Sequence, residues 1–402
     1  MTVVLPPKGR DLRLDLLRGV ANWQVFINHI PNNIFNWITT LYYGFSDAAD
    51  LFVFISGFTA SFVYARIMLE RGTLVGGTRI LRRTWQIFVA QVFLFCVYAS
   101  GVGYLALQYH DPNLDNIYNI HLFFENPVHM LIGVLTLRYK PLNMDVLPLY
   151  VVLMLVFPVV LWAMIRRPNL VLLASVLLYL AARHFGWNAP SYPSGTWYFN
   201  PFCWQLLFVL GAWFALGGST VSMPIIRSRS LPILGTAYLI FALVLTLAGW
   251  VPQLRAALPD WLYGAFNPND KTNLAPYRVL HLAVIVLLVT RFLPRDWPGL
   301  HWRIFRPAIW CGQQSLQTFC VGIFLSFVAY FVLIEISDAI WMQILVNIAG
   351  LTILTLLAWY KVWTTSLDKR MVPSPTVHRH QAGVRPQAPF PHDGSVADEV
   401  IE

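Results

Sequence analysis

Charge is the first thing this 402-residue chain has little of. Only 12% of its residues are charged, whereas ordinary soluble domains carry about 25%. At this length the deficit excludes a soluble globular enzyme, a largely disordered protein and a nucleic-acid binder of the usual kind. The charges present are unbalanced, with 28 Lys+Arg against 19 Asp+Glu and a formal net charge of +9. A basic balance can serve phosphate binding, but here long apolar runs separate the positive residues. Cysteine is scarce too. Cys96, Cys203, Cys311 and Cys320 all lie in apolar runs and form no CxxC pair, so they read as small hydrophobes rather than a zinc site or a disulfide scaffold. The chain has no Walker A sequence, no HExxH and no GxSxG. No metal site is expected. No internal repeat supports an inverted-repeat transporter. A cleavable signal peptide is not expected, because the first apolar stretch carries Asp15, Arg18, Asn22 and His29.

What the chain has is apolar length: 57% of its residues are apolar and 15% aromatic. A bilayer core takes roughly 20 helical residues. By that measure ten spans are expected, at 13–31, 48–67, 84–107, 144–164, 169–183, 201–217, 231–250, 276–292, 312–334 and 341–361. The fifth is short enough to be tilted or broken. The fold class is therefore an all-α polytopic membrane protein with about ten transmembrane helices. If the N-terminus is cytoplasmic, 22 of the 28 basic residues fall in inner segments and 6 in outer ones. That bias predicts N-in and C-in. Residues 1–370 read as a single integral-membrane domain and 371–402 as a disordered cytoplasmic tail. Membrane lipids are the expected surroundings and nucleic acid is not an expected partner. A homo-oligomer stays open, because lipid-facing and subunit-facing surfaces look alike in sequence.

Polar residues inside apolar spans are costly and point to function. The first span carries the densest set. At 100° per residue from Asp15, Arg18 falls at 300°, Asn22 at 340° and His29 at 320°. They form one narrow stripe about 21 Å long at 1.5 Å per residue. The second span opens SDAADLFVFISGF, with Asp47 and Asp50 at its outer end. The short connection 32–46 makes the two helices neighbours, so either carboxylate is placed to orient the imidazole of His29 as a general base. Asp47 also suits a helix cap. In RILRRTWQIF, Arg79, Arg82 and Arg83 serve either as positive-inside anchors or as a phosphate clamp for an anionic cofactor such as coenzyme A. In CGQQSLQTFC, Gln313 and Ser315 either line a cavity or join helices by hydrogen bonds. His281 faces the bundle, with a structural role as the leading reading. The outer segment 108–143 holds His110, Asp111, His121, Glu125 and His129, and its apolar middle, 120–137, predicts a surface or re-entrant helix. The outer residues 251–275 and 187–197 are rich in aromatic and amide side chains. These suit either a sugar-facing surface or an interfacial belt, with Trp197 and Asn200 as acceptor-side candidates.

Several of these segments together resemble the OpgC family of membrane succinyltransferases that modify osmoregulated periplasmic glucans. The likeness runs through RDLRLDLLRG (10–19), NHIPN (28–32), FSDAADLFVFISGF (45–58) and RILRRTWQIF (79–88). It continues through NPFCWQLLFVLGAW (200–213), YRVLHLA (277–283) and CGQQSLQTFCVGIFLSF (311–327), covering roughly residues 10–363. One departure is Asn28, where relatives with a DHIP segment have an acid. More distantly, the chain is similar to integral-membrane acyltransferases that decorate carbohydrates. The resemblance implies a bacterial inner-membrane enzyme that moves a succinyl group from cytoplasmic succinyl-CoA to periplasmic glucan hydroxyls. It places the catalytic histidine on His29 and donor-binding arginines on Arg79, Arg82 and Arg83, to which the stripe adds Arg18. Asp50, with Asp47 as fallback, would orient His29. Asp15, Asn22 and Asn28 would line the passage or supply oxyanion donors. The alternatives are a proton- or anion-coupled transporter, an acyltransferase with another envelope carbohydrate as acceptor, and a noncatalytic scaffold.

Overall fold

A computed structural model describes residues 3, 5, 9–109 and 120–371 of the chain. Among them, the long helices are α1 (Leu12–Asn28), α2 (Ala48–Arg71), α3 (Thr73–Tyr109), α4 (Val146–Arg166), α5 (Pro168–Phe185), α6 (Pro201–Trp213), α7 (Ser230–Ala248), α8 (Pro276–Phe292), α9 (Ser315–Glu335) and α10 (Ile340–Met371). Each of the ten expected spans overlaps one of these. Among the described residues eight segments are long and apolar enough to cross a membrane, one of them continuing α6 to Val221; α1 and α8 are not among them. The protein is an all-α polytopic membrane fold. The fifth span is an unbroken helix, α5, closed by Gly186 at φ +68. The apolar middle of the 108–143 segment forms two short helices, His121–Glu125 and Pro127–Leu135. His110 and Asp111 lie outside the described residues, as does all of the expected tail 371–402 except Met371. The described residues up to Val362 form one compact unit; those from Trp363 to Met371 belong to a second and are helical.

The ends of the helices are written in the local chemistry. Asp11 caps α1 by accepting from Arg13 N. The helix stops three residues before Pro31, which disfavours helical geometry at Ile30. Asp47 and Asp50 form a reciprocal capping box at the start of α2. Prolines occupy the first turn of α5, α6 and α8, where a missing N–H costs nothing.

Two close helix crossings set the frame around α1 and α2. A Cβ on Gly57 of α2 would lie 1.9 Å from Phe208 O of α6, and one on Gly211 of α6 would lie 2.1 Å from Phe54 O of α2. Likewise Gly19 of α1 and Gly312 of the short helix Arg306–Gln313 each press against the other helix's backbone, at 1.7 Å and 1.8 Å for a notional Cβ. Small residues allow this approach, as is usual where lipid offers no hydrophobic drive for helix association. Between these crossings, the remaining faces of α1 and α2 meet α4 and α9 around two cavities.

Candidate active site

The stripe on α1 leads into both cavities. Arg18, together with Arg83 of α3, Ser56 and Thr59 of α2, Tyr150 of α4 and Ser315 of α9, lines an arginine chamber of about 290 Å³. Eleven residues further along α1, His29 lines a histidine chamber of about 370 Å³ with Asn28, Asp47, Asn143, Asp145, Tyr198 and Lys271. No lining residue is shared. The wall between them is thin. Val146 lines the histidine chamber and Leu147 the arginine chamber. On α2, Ala48 and Ala49 line one and Phe52, one turn later, lines the other. Phe52 stands against Phe319 and Tyr150, with ring centroids 6.0 Å and 6.2 Å away. Asn22 sits on α1 between Arg18 and His29. Its Nδ2 donates to Ser315 Oγ at 3.3 Å, while its buried Oδ1 has no partner. The polar stripe is thus present, but it passes two chambers and a wall rather than one open channel.

The imidazole of His29 is oriented by backbone. Its Nδ1 lies 2.5 Å from Val25 O, a carbonyl in the last turn of α1 that also accepts from His29 N at 3.1 Å. A carbonyl only accepts, so Nδ1 carries the proton and Nε2 of the neutral ring carries the lone pair. This corrects the expectation that Asp50 or Asp47 orients the ring. Asp50 is fully buried and does not line the histidine chamber. It accepts from Arg278 Nη2 at 2.5 Å and from Asp47 N at 2.9 Å. Asp47 does line the chamber, but its carboxylate is taken by Lys271 Nζ at 2.7 Å, Arg278 Nη2 at 3.3 Å and Ala49 N at 2.9 Å. Two acids and two bases therefore form one balanced cluster beside His29. Burial works against the charged form of Asp47, but Lys271 and Arg278 outweigh it and hold the carboxyl below its ordinary range. Burial also disfavours the Lys271 ammonium, and Asp47 reverses that, raising its pKa.

The donor-side candidates divide. Arg18 gives Nη2 hydrogen bonds to Thr59 Oγ1 at 2.5 Å and Ile55 O at 3.4 Å, and its buried Nε has no partner. Among the described residues no carboxylate stands within ion-pair distance of it. Arg83 shares the arginine chamber and bonds Gln86 Oε1 at 3.2 Å. Arg79 and Arg82 share a side of α3 with Arg83, as their i, i+3, i+4 spacing requires, but both are exposed and line neither chamber. Two uncompensated guanidiniums make the arginine chamber suited to an anion.

Other candidates are placed elsewhere. Asp15 is buried and held by Arg10 at 2.5 Å, away from both chambers. Asn28 lines the histidine chamber but has its Oδ1 occupied by Thr39 Oγ1 at 2.7 Å. Gln313 lines neither chamber; the helix breaks at Gln314, and it is Ser315, after the break, that reaches the arginine chamber. His281 is buried behind α2, where its Nδ1 meets Ser46 Oγ at 2.7 Å and braces the turn before the helix. The acceptor-side expectation also needs correction. Asn200 is fully buried, caps α6 through Phe202 N and bonds Trp187 O and Asn273 Oδ1. Trp197 is buried and donates to Pro190 O. Their neighbours Tyr198 and Phe199 line the chamber instead. Sequence reading missed Asp145, Asn143, Tyr198 and Lys271, all outside the long helices. It also missed the pairing of Arg278 with Asp50, although YRVLHLA was singled out. Three of the four cysteines are buried or half-buried, whereas Cys96 is exposed on the protein surface.

Comparison with known families matches residues 10–366 to the model described as OpgC protein. No curated protein and no solved structure matches the chain.

Proposed function

The chain belongs to the OpgC family, an acyltransferase-type family, and from that premise we propose that it transfers a succinyl group from succinyl-CoA to a hydroxyl of periplasmic glucan. The observation that carries the mechanism is the His29–Val25 contact, which leaves Nε2 as the proton acceptor in a chamber separate from the guanidiniums. The donor's phosphates are held on the arginine side by Arg18 and Arg83, at the end of α1 taken as cytoplasmic. The glucan hydroxyl enters the histidine chamber from the opposite face of the inner membrane. From Arg18 to His29 is eleven residues, about 16 Å of helix rise, roughly the reach of an extended chain of five residues. A pantetheine arm is of comparable length and would cross the Phe52 wall.

Chemically the step is an acyl transfer. Nε2 takes the hydroxyl proton, the sugar oxygen bonds to the thioester carbonyl carbon, and the carbon–sulfur bond breaks. The departing thiolate recovers the proton from the imidazolium, so no acyl-enzyme is required. The amides of Asn28 and Asn143, lining the same chamber, supply N–H donors for charge developing on the carbonyl oxygen. The test is purified protein with succinyl-CoA and periplasmic glucan, following free thiol and glucan mass. Stoichiometric thiol release with a succinyl gain on the glucan is expected. Correctly folded protein that yields neither would overturn the reading.

A further inference from the structure

We propose that Lys271 is the specificity-determining residue for the acyl group, taking its free carboxylate and so selecting a dicarboxylic donor over a neutral one. This deepens the acyl-transfer reading and rests on it. Among the described residues Lys271 is the one cationic side chain lining the histidine chamber. Asp47 occupies one of its three N–H donors and has Arg278 and Ala49 N besides, so its carboxylate does not depend on Lys271 alone. The Lys271 ammonium lies 5.5 Å from the Phe199 ring and 6.0 Å from the Tyr198 ring, beside the open space.

The loop that carries Lys271 is held far more firmly than a connection needs. The indole of the fully buried Trp204 donates to Lys271 O at 3.1 Å and Thr272 O at 3.2 Å, and Asn200 N also donates to Thr272 O. Asn269 Nδ2 ties the loop to Phe45 O, and Asp270 Oδ1 accepts from Asn273 N. Leu274 is held at φ +51, a conformation that side chains other than glycine adopt at a cost. Such fixing suits a side chain that must be presented at one place. With the thioester carbonyl at His29 Nε2, the free carboxylate of a four-carbon diacid lies two methylenes further, inside the same chamber. A carboxylate moved there without a cation would be penalised by lost hydration, and a methyl group would not.

The experiment compares succinyl-CoA with butyryl-CoA, which has a methyl in place of the carboxylate, using glucan as acceptor. The readout is the ratio of the two kcat/KM values in the unaltered protein and in Lys271→Met and Lys271→Arg. The unaltered protein is expected to favour succinyl. Lys271→Met lowers the ratio about 10- to 100-fold, the worth of one charged hydrogen bond, and Lys271→Arg keeps most of it. An unchanged ratio in Lys271→Met overturns the assignment and leaves Lys271 as a structural partner of Asp47. If Lys271→Met loses both donors, the ratio is read in Lys271→Arg and Lys271→Gln instead; equal ratios there also overturn it. A protein that favours butyryl overturns the inference while acyl transfer stands. Failure with both donors in the unaltered protein removes the acyl-transfer reading itself.

Discussion

Replacing Arg18 with methionine separates what a guanidinium does for the fold from what it does for a ligand. Arg18 has no carboxylate partner among the described residues, and its Nε has no partner. Its hydrogen bonds go to Thr59 Oγ1 and Ile55 O. Removing it orphans neither, because Thr59 Oγ1 still donates to Ile55 O at 2.7 Å. The folded protein loses an uncompensated charge and keeps the apolar stem, so stability should change by less than about 1 kcal/mol, or rise. Arg278 is the contrasting case: it is 3% exposed and bonded to both Asp47 and Asp50. Arg278→Met strands the fully buried Asp50, while Asp47 keeps Lys271 and Ala49 N, and should cost about 3–5 kcal/mol. Donor binding should respond the other way. A charged hydrogen bond is worth about 1.5–3 kcal/mol, so Arg18→Met should raise the acyl-CoA KM about 10- to 100-fold. Thermal unfolding in detergent and thiol release against donor concentration read the two effects. The reasoning fails if Arg18→Met unfolds as readily as Arg278→Met, or if its donor KM stays unchanged.

Three further outcomes follow from the same geometry. His29→Ala should lower the transfer rate about 10²- to 10⁴-fold with the unfolding temperature close to the original, a rate measured by thiol release. Gly57→Leu should abolish folded protein in a size-exclusion profile, because even its Cβ would meet Phe208 O at 1.9 Å and neither backbone can yield. Arg82→Ala, altering an exposed arginine that lines neither chamber, should leave the donor KM within about twofold, whereas Arg83→Ala should raise it by about tenfold or more.

Helical periodicity made much of the site legible. The step of 100° per residue put Arg18, Asn22 and His29 on one stripe, and the structure aligns the same three side chains past two chambers and their wall. The neighbouring positions of α1 and α2 followed from the short link 32–46. Other features were hidden for definite reasons. Sequence reasoning seeks an acid to orient a histidine, but the partner of His29 is Val25 O, and every residue carries a carbonyl. Only the place where the helix ends makes that one matter. Lys271 and Tyr198 lie on loops, which have no periodicity to project, and they reach His29 only through the tertiary fold. Asp50 and Arg278 are 228 residues apart, so nothing local announces their ion pair. Trp197 and Asn200 show the limit of composition. Aromatic and amide groups suit a sugar surface, yet they also suit a buried indole and a helix cap, the uses found here.

The central claim is that donor and acceptor meet across a wall between two chambers that open toward opposite faces of the membrane. Sealed proteoliposomes of uniform orientation test it directly, with succinyl-CoA on one side and glucan on the other. Succinylated glucan should form only when the donor is on the face where Arg18 and Arg83 lie and the glucan is on the face of His29. Product that requires both substrates on the same face, or forms equally from either arrangement, would contradict the account.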